Sequence, residues 1–415
     1  MTDAADVLAD TVREEWGRLL ALLLARFRRL DLVEDALAEA VAIAAQRWPA
    51  DGAPDNPAAW LLTTARRKVL DRIRHEAAAD KTLPLLHTDL AHRQEGARTM
   101  ADPGDLVEDD LLRLVLMCTH PALAPEASSA LSLRLVLGVS TGDIARLFFV
   151  PEPTMAARIT RAKKKIAAAG IPFAIPDASV LPERLDLVAQ TAYLAFTAGY
   201  APGSGPDLVR AELAGEGIRL VRTVAALRPD QPVLVGLLAL MLLQHSRRDA
   251  RVGPDGELVL LPDQDRTRWR HDEIDEGLAL LRSPALAGPL TVTAAGYAVQ
   301  AAIAAEHAIA PSAEDTRWDV IVRQYDTLLR LRPSPAAALA RAVAVAEADG
   351  PMAGLAALDG IEMPGSHRLP SVRAELARRA GDTGQAARAY AEAIALCGNE
   401  AEREHLADKL RTLGA

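Results

Sequence analysis

Residues 141–166 read TGDIARLFFVPEPTMAARITRAKKKI. A first helix is predicted over 141–148, because the Ser140 hydroxyl can accept the N–H of Asp143 and a carboxylate in the first turn suits the positive end of the helix dipole. Val150-Pro151 ends it. A second helix opens around Pro153 or Thr154, since proline is tolerated only at the first helical positions, and runs to about Ala168. On this helix Met155, Ile159, Ala162 and Ile166 recur at i, i+4, i+7 and i+11 as one buried stripe, while Arg158, Arg161 and Lys165 recur on another face. A short helix, a tight turn and an amphipathic basic helix suit the major groove of DNA, with N-terminal residues reaching base edges and C-terminal cations reaching phosphates. The same residues also suit two helices of an ordinary bundle with a solvated basic face, so the decision falls to the rest of the chain.

The chain has 415 residues, enough for two to four domains with cores of their own. Apolar residues make up 50% and aromatic residues 4%, which favours an all-α protein packed by small side chains. A formal charge of -9 means that any nucleic acid is bound by local patches and not by the global field. Lys and Arg number 22 against 24 Asp and Glu up to Gly170, and 25 against 32 after it, so the C-terminal part is the more acidic. Cys118 and Cys397 stand far apart without CxxC or Cys/His spacing. That argues against a disulfide framework and a structural zinc site, and for a reducing cytoplasm. The start MTDAADVLAD lacks the features of a signal peptide, and the longest apolar run, 233–243, is too short to span a bilayer.

Upstream, Trp16, Leu19, Leu20, Leu23, Leu24 and Phe27 follow the spacing of an amphipathic helix. After a break at Leu30-Asp31, a helix over 31–48 is expected to bury Val33, Leu37, Ala40, Val41 and Ala44, to leave Asp31, Glu34, Asp35 and Glu39 outside, and to end at Pro49. Beyond the loop PADGAPDNP, Asn56-Pro57 supplies an N-cap and N1 proline for a helix ending near Ala79. Leu61, Leu62, Ala65, Val69 and Ile73 share one side of it; Trp60, Thr64, Arg67, Asp71 and Arg74 share the other. A tryptophan among arginines suits stacking on unpaired bases with cations on the backbone. It equally suits a tryptophan that caps a neighbouring helix.

Residues 81–105 lose periodicity and read as a linker. Helices follow over 109–117 and 125–137, the second capped by Gly138, and they lead into the 141–166 pair.

This order resembles bacterial sigma factors of the extracytoplasmic-function class. DLVEDALAEAVAIAAQRWP resembles the core-polymerase-binding segment of region 2, DNPAAWLLTTARRKVLDRIRHE the −10 segment, and residues 141–166 region 4. Phe149 stands where many members have a turn glycine. The stretches YLAFTAGY, LLALMLLQHSRRDAR, LLPDQDRTRW, PSAEDTRW and PSPAAALARAVAVAEADGP resemble the subgroup with a long TPR-like C-terminal extension, with Thr197-Ala198 in place of an expected Asn-Glu pair. Near the end, Gly381, Ala386, Tyr390 and Ala393 match the turn glycine, small, aromatic and small positions of the TPR repeat, and Gly350, Ala353 and Ala357 give a weaker copy.

The resemblance implies an all-α chain with region 2 at 1–80, a linker at 81–108, region 4 at 109–170, a helical extension at 171–290 and TPR-like repeats at 291–415. It implies that Asp31, Glu34 and Asp35 dock on the clamp of core RNA polymerase. Asn56, Trp60, Arg67, Asp71 and Arg74 would hold the opened −10 strand, and Glu152, Thr154, Ala157, Arg158 and Arg161 would read the −35 element of promoter DNA. It implies no cofactor, no metal, no membrane and no catalysis. The extension is expected to contact the two DNA-binding domains within the same chain and regulate them.

One dense polar run, Asp263, Gln264, Asp265, Arg266, Trp269, His271, Asp272 and Glu273, invites a catalytic reading. No HExxH, GxSxG, Walker-type or GxGxxG pattern accompanies it. Asp263 or Asp265 as a helix cap and the others as surface cross-links account for it more simply, and His307 beside Glu306 reads as a packed residue. The competing function is a helix-turn-helix regulator with a TPR-like sensor that binds duplex DNA without polymerase. Such a regulator has no need of an acidic helix followed by a Trp/Arg helix.

Overall fold

The computed structural model describes residues 4–79, 103–148, 150–200, 211–253, 257 and 259–413. Every regular element among the described residues is helical, and the chain divides into two compact units, Met1–Thr191 and Ala192–Ala415.

The first unit begins with α1 (Ala4–Phe27), α2 (Leu30–Asp51) and α3 (Pro57–Ala79). All six residues of the α1 stripe, Trp16 to Phe27, are buried. The chain leaves α1 through Arg28, which holds a left-handed φ of 54°. Helix α2 runs past the expected stop at Pro49 to Asp51. The carbonyl deprived of its partner belongs to exposed Ala45, where water can satisfy it. Asn56 caps α3 as expected, its Oδ1 accepting the Ala59 N–H at 3.0 Å.

The unit continues with α4 (Pro103–Cys118), α5 (Pro125–Leu131), a π-helical turn (Ser132–Val136), α6 (Thr141–Leu147) and α7 (Glu152–Ala168). Residues 103–108, read from sequence as the end of the linker, are already helical; the rest of that linker and Phe149 lie outside the described residues. Gly138 ends the π turn at φ 71°, which favours glycine for conformation. It is also required for space, since a Cβ there would meet the Trp16 ring at 2.7 Å. Gly17 of α1 meets the Val136 carbonyl in the same way, at 2.2 Å from an added Cβ. Gly17 thus lets α1 and the π turn approach backbone to backbone, and Gly138 makes room for the Trp16 side chain. After α7, Ile171 and Phe173 are buried, and Arg28 donates to the Phe173 carbonyl at 3.2 Å while its guanidinium lies over that ring.

α8 (Leu181–Tyr200) crosses from the first unit into the second. The second unit then stacks α9 (Ala211–Leu227), α10 (Pro232–His245), α11 (His271–Leu281), α12 (Val292–Ile309), α13 (Trp318–Leu331), α14 (Pro335–Asp349), α15 (Pro351–Ala357), α16 (Arg368–Arg379), α17 (Thr383–Leu396) and α18 (Glu400–Thr412). Neighbours in sequence pack on one another along this series, and α10 lies at the centre of its first part, against α9, α11 and α12. The apolar run expected to form a buried helix is α10, buried from Val233 to Leu243. No described helix is long and apolar enough to cross a membrane. Gly381 turns at φ 85°, and Ala386, Tyr390 and Ala393 share one core cluster. The weaker copy is shifted by one position from expectation: Ala353 and Ala357 are half-buried, and the close helix approach falls on Gly354, where a Cβ would meet that of Ala346 at 2.4 Å.

Candidate nucleic-acid interface

The helix-turn-helix follows from its caps and stripe. Ser140 Oγ accepts the Asp143 N–H at 3.0 Å, and the Asp143 carboxylate is held below the usual range by its hydrogen bonds to Ser140 and then Arg146. Met155, Ile159, Ala162 and Ile166 are all buried, so α7 can only lie one way on its domain. That placement leaves Glu152, Thr154, Ala157 and Arg161 exposed and Arg158 half-exposed. Arg161 rests Nε on the Ala157 carbonyl at 3.2 Å. Thr154, Ala157, Arg158 and Arg161 form one outward face that ends in cations, while Glu152 stands at the start of the helix, half a turn away from Arg161.

Helix α3 is built in the same manner around buried Leu61, Ala65 and Val69. Its opposite side exposes Arg67, Asp71 and Arg74, with Arg74 3.3 Å from Asp71. Trp60 is half-buried and meets Trp48 edge to face, with centroids 5.5 Å apart. It therefore caps the end of α2 and offers the remainder of its ring to the outside. Lys68 and Arg72 face inward along the surface, pairing with Glu39 at 2.5 and 3.2 Å. The lysine's hydrogen bond holds the Glu39 carboxylate below its ordinary range.

The acidic face of α2 differs from expectation at one residue. Asp31 and Asp35 are exposed, Asp31 in a hydrogen bond to Arg29 that lowers its pKa and Asp35 3.6 Å from Arg72. Glu34, read from the sequence as outside, is 3% exposed. Its carboxylate accepts from Arg134 Nε at 2.9 Å and is ion-paired with Lys163 of α7. Arg134 also lies over the Trp16 ring. A cation from the π turn and another from the basic helix thus converge on one buried anion of α2. The available signal was Leu37 at i+3 and Val41 at i+7 from Glu34, which place it at the edge of the apolar stripe. The π turn that presents Arg134 has no comparable mark in the sequence.

Residues 113–166 match the family Sigma-70, region 4, and residues 184–285 match a family of unknown function, DUF6596. An uncharacterized protein of Rhizobium meliloti (strain 1021) is 42% identical over 95% of this chain and 93% of its own length. No solved structure matches. The chain belongs to the family of that relative and carries a sigma-70 region 4 domain.

The region 4 match spans α4 to α7 almost to its end, so both Arg134 and Lys163 belong to that domain, and Glu34 holds it from outside. The polar run 263–273 lies in the DUF6596 match, and much of it serves structure. Asp265 Oδ1 accepts the Thr267 N–H at 2.9 Å as a cap, and Arg266 donates to the His307 carbonyl at 2.7 Å with its guanidinium 4.5 Å from the Trp269 ring centre. Glu273 accepts from Arg248 at 2.8 Å and faces His245 Nδ1 at 3.0 Å. His307 packs edge to face on Trp318, and its pKa falls to about 4 through burial and then the nearby Arg247 and Arg266. Thr197 turns its hydroxyl onto the Tyr193 carbonyl of its own helix at 2.9 Å.

Proposed function

We propose that the protein is a sigma factor of the extracytoplasmic-function class that binds core RNA polymerase and directs promoter-specific initiation, with a TPR-like extension that regulates its DNA-binding domains. The observation that supports this best is the outward face of α7, where a fully buried apolar stripe leaves Thr154, Ala157, Arg158 and Arg161 toward solvent within a region 4 domain. This face reads the −35 element, with Glu152 at its N-terminal end. Asn56, Trp60, Arg67, Asp71 and Arg74 hold the opened −10 strand, the tryptophan by stacking and the arginines on phosphates. Asp31 and Asp35 dock on the polymerase clamp; Glu34 joins them once its carboxylate leaves Arg134 and Lys163. The work is done by binding energy spent on melted DNA, and the protein itself makes and breaks no covalent bond.

Run-off transcription with purified core polymerase on a library of upstream fragments tests the reading. A defined promoter set that depends on added protein is the expected result. Duplex binding without any polymerase-dependent transcript would favour a free-standing regulator.

A further inference from the structure

The last three helices of the second unit share one small apolar cluster, with Cys397 and Leu406 among its members. Helix α18 buries only Leu406 among its own described side chains, with Leu410 and Leu413 partly covered. A terminal helix so lightly packed contributes little hydrophobic free energy to its own docking. At its start, however, three side chains from three different helix ends converge. His367 is the N-cap residue of α16, Cys397 the C-cap residue of α17, and Glu402 lies in the first turn of α18. One ligand atom from each, an imidazole nitrogen, the thiol sulfur and a carboxylate oxygen, all lie within 4.8 Å of one another.

We propose that His367, Cys397 and Glu402 bind one divalent ion of the zinc class, which staples α18 to the α16–α17 pair. Ligand lengths of about 2.3 Å to sulfur and 2.0–2.2 Å to nitrogen and oxygen place tetrahedral ligand atoms roughly 3.3–3.6 Å apart. His367 Nε2 and Glu402 Oε2 are already 3.0 Å apart, and the sulfur closes the remaining distance by a small movement at Cys397-Gly398. A thiolate beside an imidazole selects zinc or cobalt over magnesium and calcium, which prefer oxygen ligands alone. Water completes the fourth position at this partly exposed joint.

The surroundings fit a ligand set. Asn399 is buried and fixes Glu402 by accepting its N–H at 3.0 Å, while the Asn399 carbonyl accepts the Cys397 thiol at 3.4 Å. A coordinated thiol is deprotonated outright, so Cys397 releases one proton for each ion bound and its sulfur exchanges the carbonyl for the metal. His367 and Cys397 are 30 positions apart in the chain, and that separation hides the site from any reading of local Cys/His spacing.

Titrating chelator-treated, tag-free full-length protein with cobalt(II) tests the proposal. Expected are a one-to-one endpoint, a near-ultraviolet thiolate-to-cobalt charge-transfer band, visible ligand-field bands of a four-coordinate site, and displacement of all of them by zinc. Cys397→Ser should abolish the charge-transfer band, His367→Gln should weaken binding at least tenfold, and Cys118→Ser should leave both unchanged. Absence of the thiolate band in the wild-type protein, or its persistence in Cys397→Ser, overturns the proposal. The wild-type spectrum decides by itself should a variant fail to fold.

Discussion

Glu34 is a carboxylate removed from water, and its place in the fold depends on Arg134 and Lys163, which are themselves 21% and 27% exposed. Removing the anion leaves two cations that water can partly reach, so the loss should fall below the 3–5 kcal/mol of a fully buried broken pair. We expect Glu34→Gln to destabilise the first unit by about 1–3 kcal/mol, read as an earlier urea midpoint. A double-mutant cycle with Lys163→Met should show the two changes coupled; strictly additive effects would mean that the contact carries no energy. His307 makes a second prediction at this scale. Its folded pKa of about 4 lies below the ordinary 6.5, so the folded protein binds fewer protons than the unfolded chain between those values. The stabilisation is complete above the unfolded value and is lost as pH falls toward the folded one, up to about 3 kcal/mol for the whole shift. Between about pH 7.5 and 5 the wild-type melting temperature of the second unit should therefore drop more than that of His307→Phe, which keeps the contact with Trp318 and does not titrate. Parallel pH profiles would contradict this.

At the scale of single helices, α7 was legible almost residue by residue, because one period of apolar side chains fixes which face is buried and hence which is free. The cap of α6 before it was legible too, since Ser140 and Asp143 act within four residues of one another. Helix α2 departs from its sequence reading at two places: it continues through Pro49 to Asp51, and the burial of Glu34 depends on Arg134 and Lys163, about a hundred positions or more away in sequence, a partnership that no local pattern encodes. The same reason hid the π turn and the His367, Cys397 and Glu402 convergence. On α7, Arg158→Ala and Arg161→Ala should each weaken promoter binding, by about 1–3 kcal/mol if the contact is to a base edge. If the contact is to phosphate, the salt slope should fall by about 1. Unchanged affinity and slope in both variants would remove α7 as the reader. On α3, the edge contact with Trp48 complicates the test of Trp60, because Trp60→Ala also forfeits about 0.5–1.5 kcal/mol of aromatic pairing. At saturating protein that structural loss drops out. Duplex binding should then persist while permanganate reactivity of the melted region declines, since stacking worth about 1–3 kcal/mol per base exists only after strands part. Equal reactivity in variant and wild type would remove the stacking role.

For the whole molecule, the question is what the residues after the region 4 domain do to it, and the position of a truncation determines what is measured. Ile171 and Phe173 are buried within the first unit, Arg28 holds the Phe173 carbonyl, Arg184 donates to the Leu116 carbonyl, and Ser129 Oγ donates to the Thr191 carbonyl at 3.2 Å. A chain ending at Gly170 loses all of these and should unfold at lower denaturant than one ending at Thr191, whatever the extension regulates. The informative comparison is therefore residues 1–191 against the full chain. Tethered through α8, the second unit would meet the DNA-binding unit at an effective concentration of roughly millimolar, so even a weak contact would be largely formed in the intact chain. If the extension governs the DNA-binding unit, transcript yield from a cognate promoter should differ at least tenfold between 1–191 and the full chain, with the shorter chain still folded by circular dichroism. The sign of that change then distinguishes a unit that holds a productive arrangement from one that restrains it. Equal yields and equal promoter choice from the two chains would leave the extension without a regulatory role in initiation.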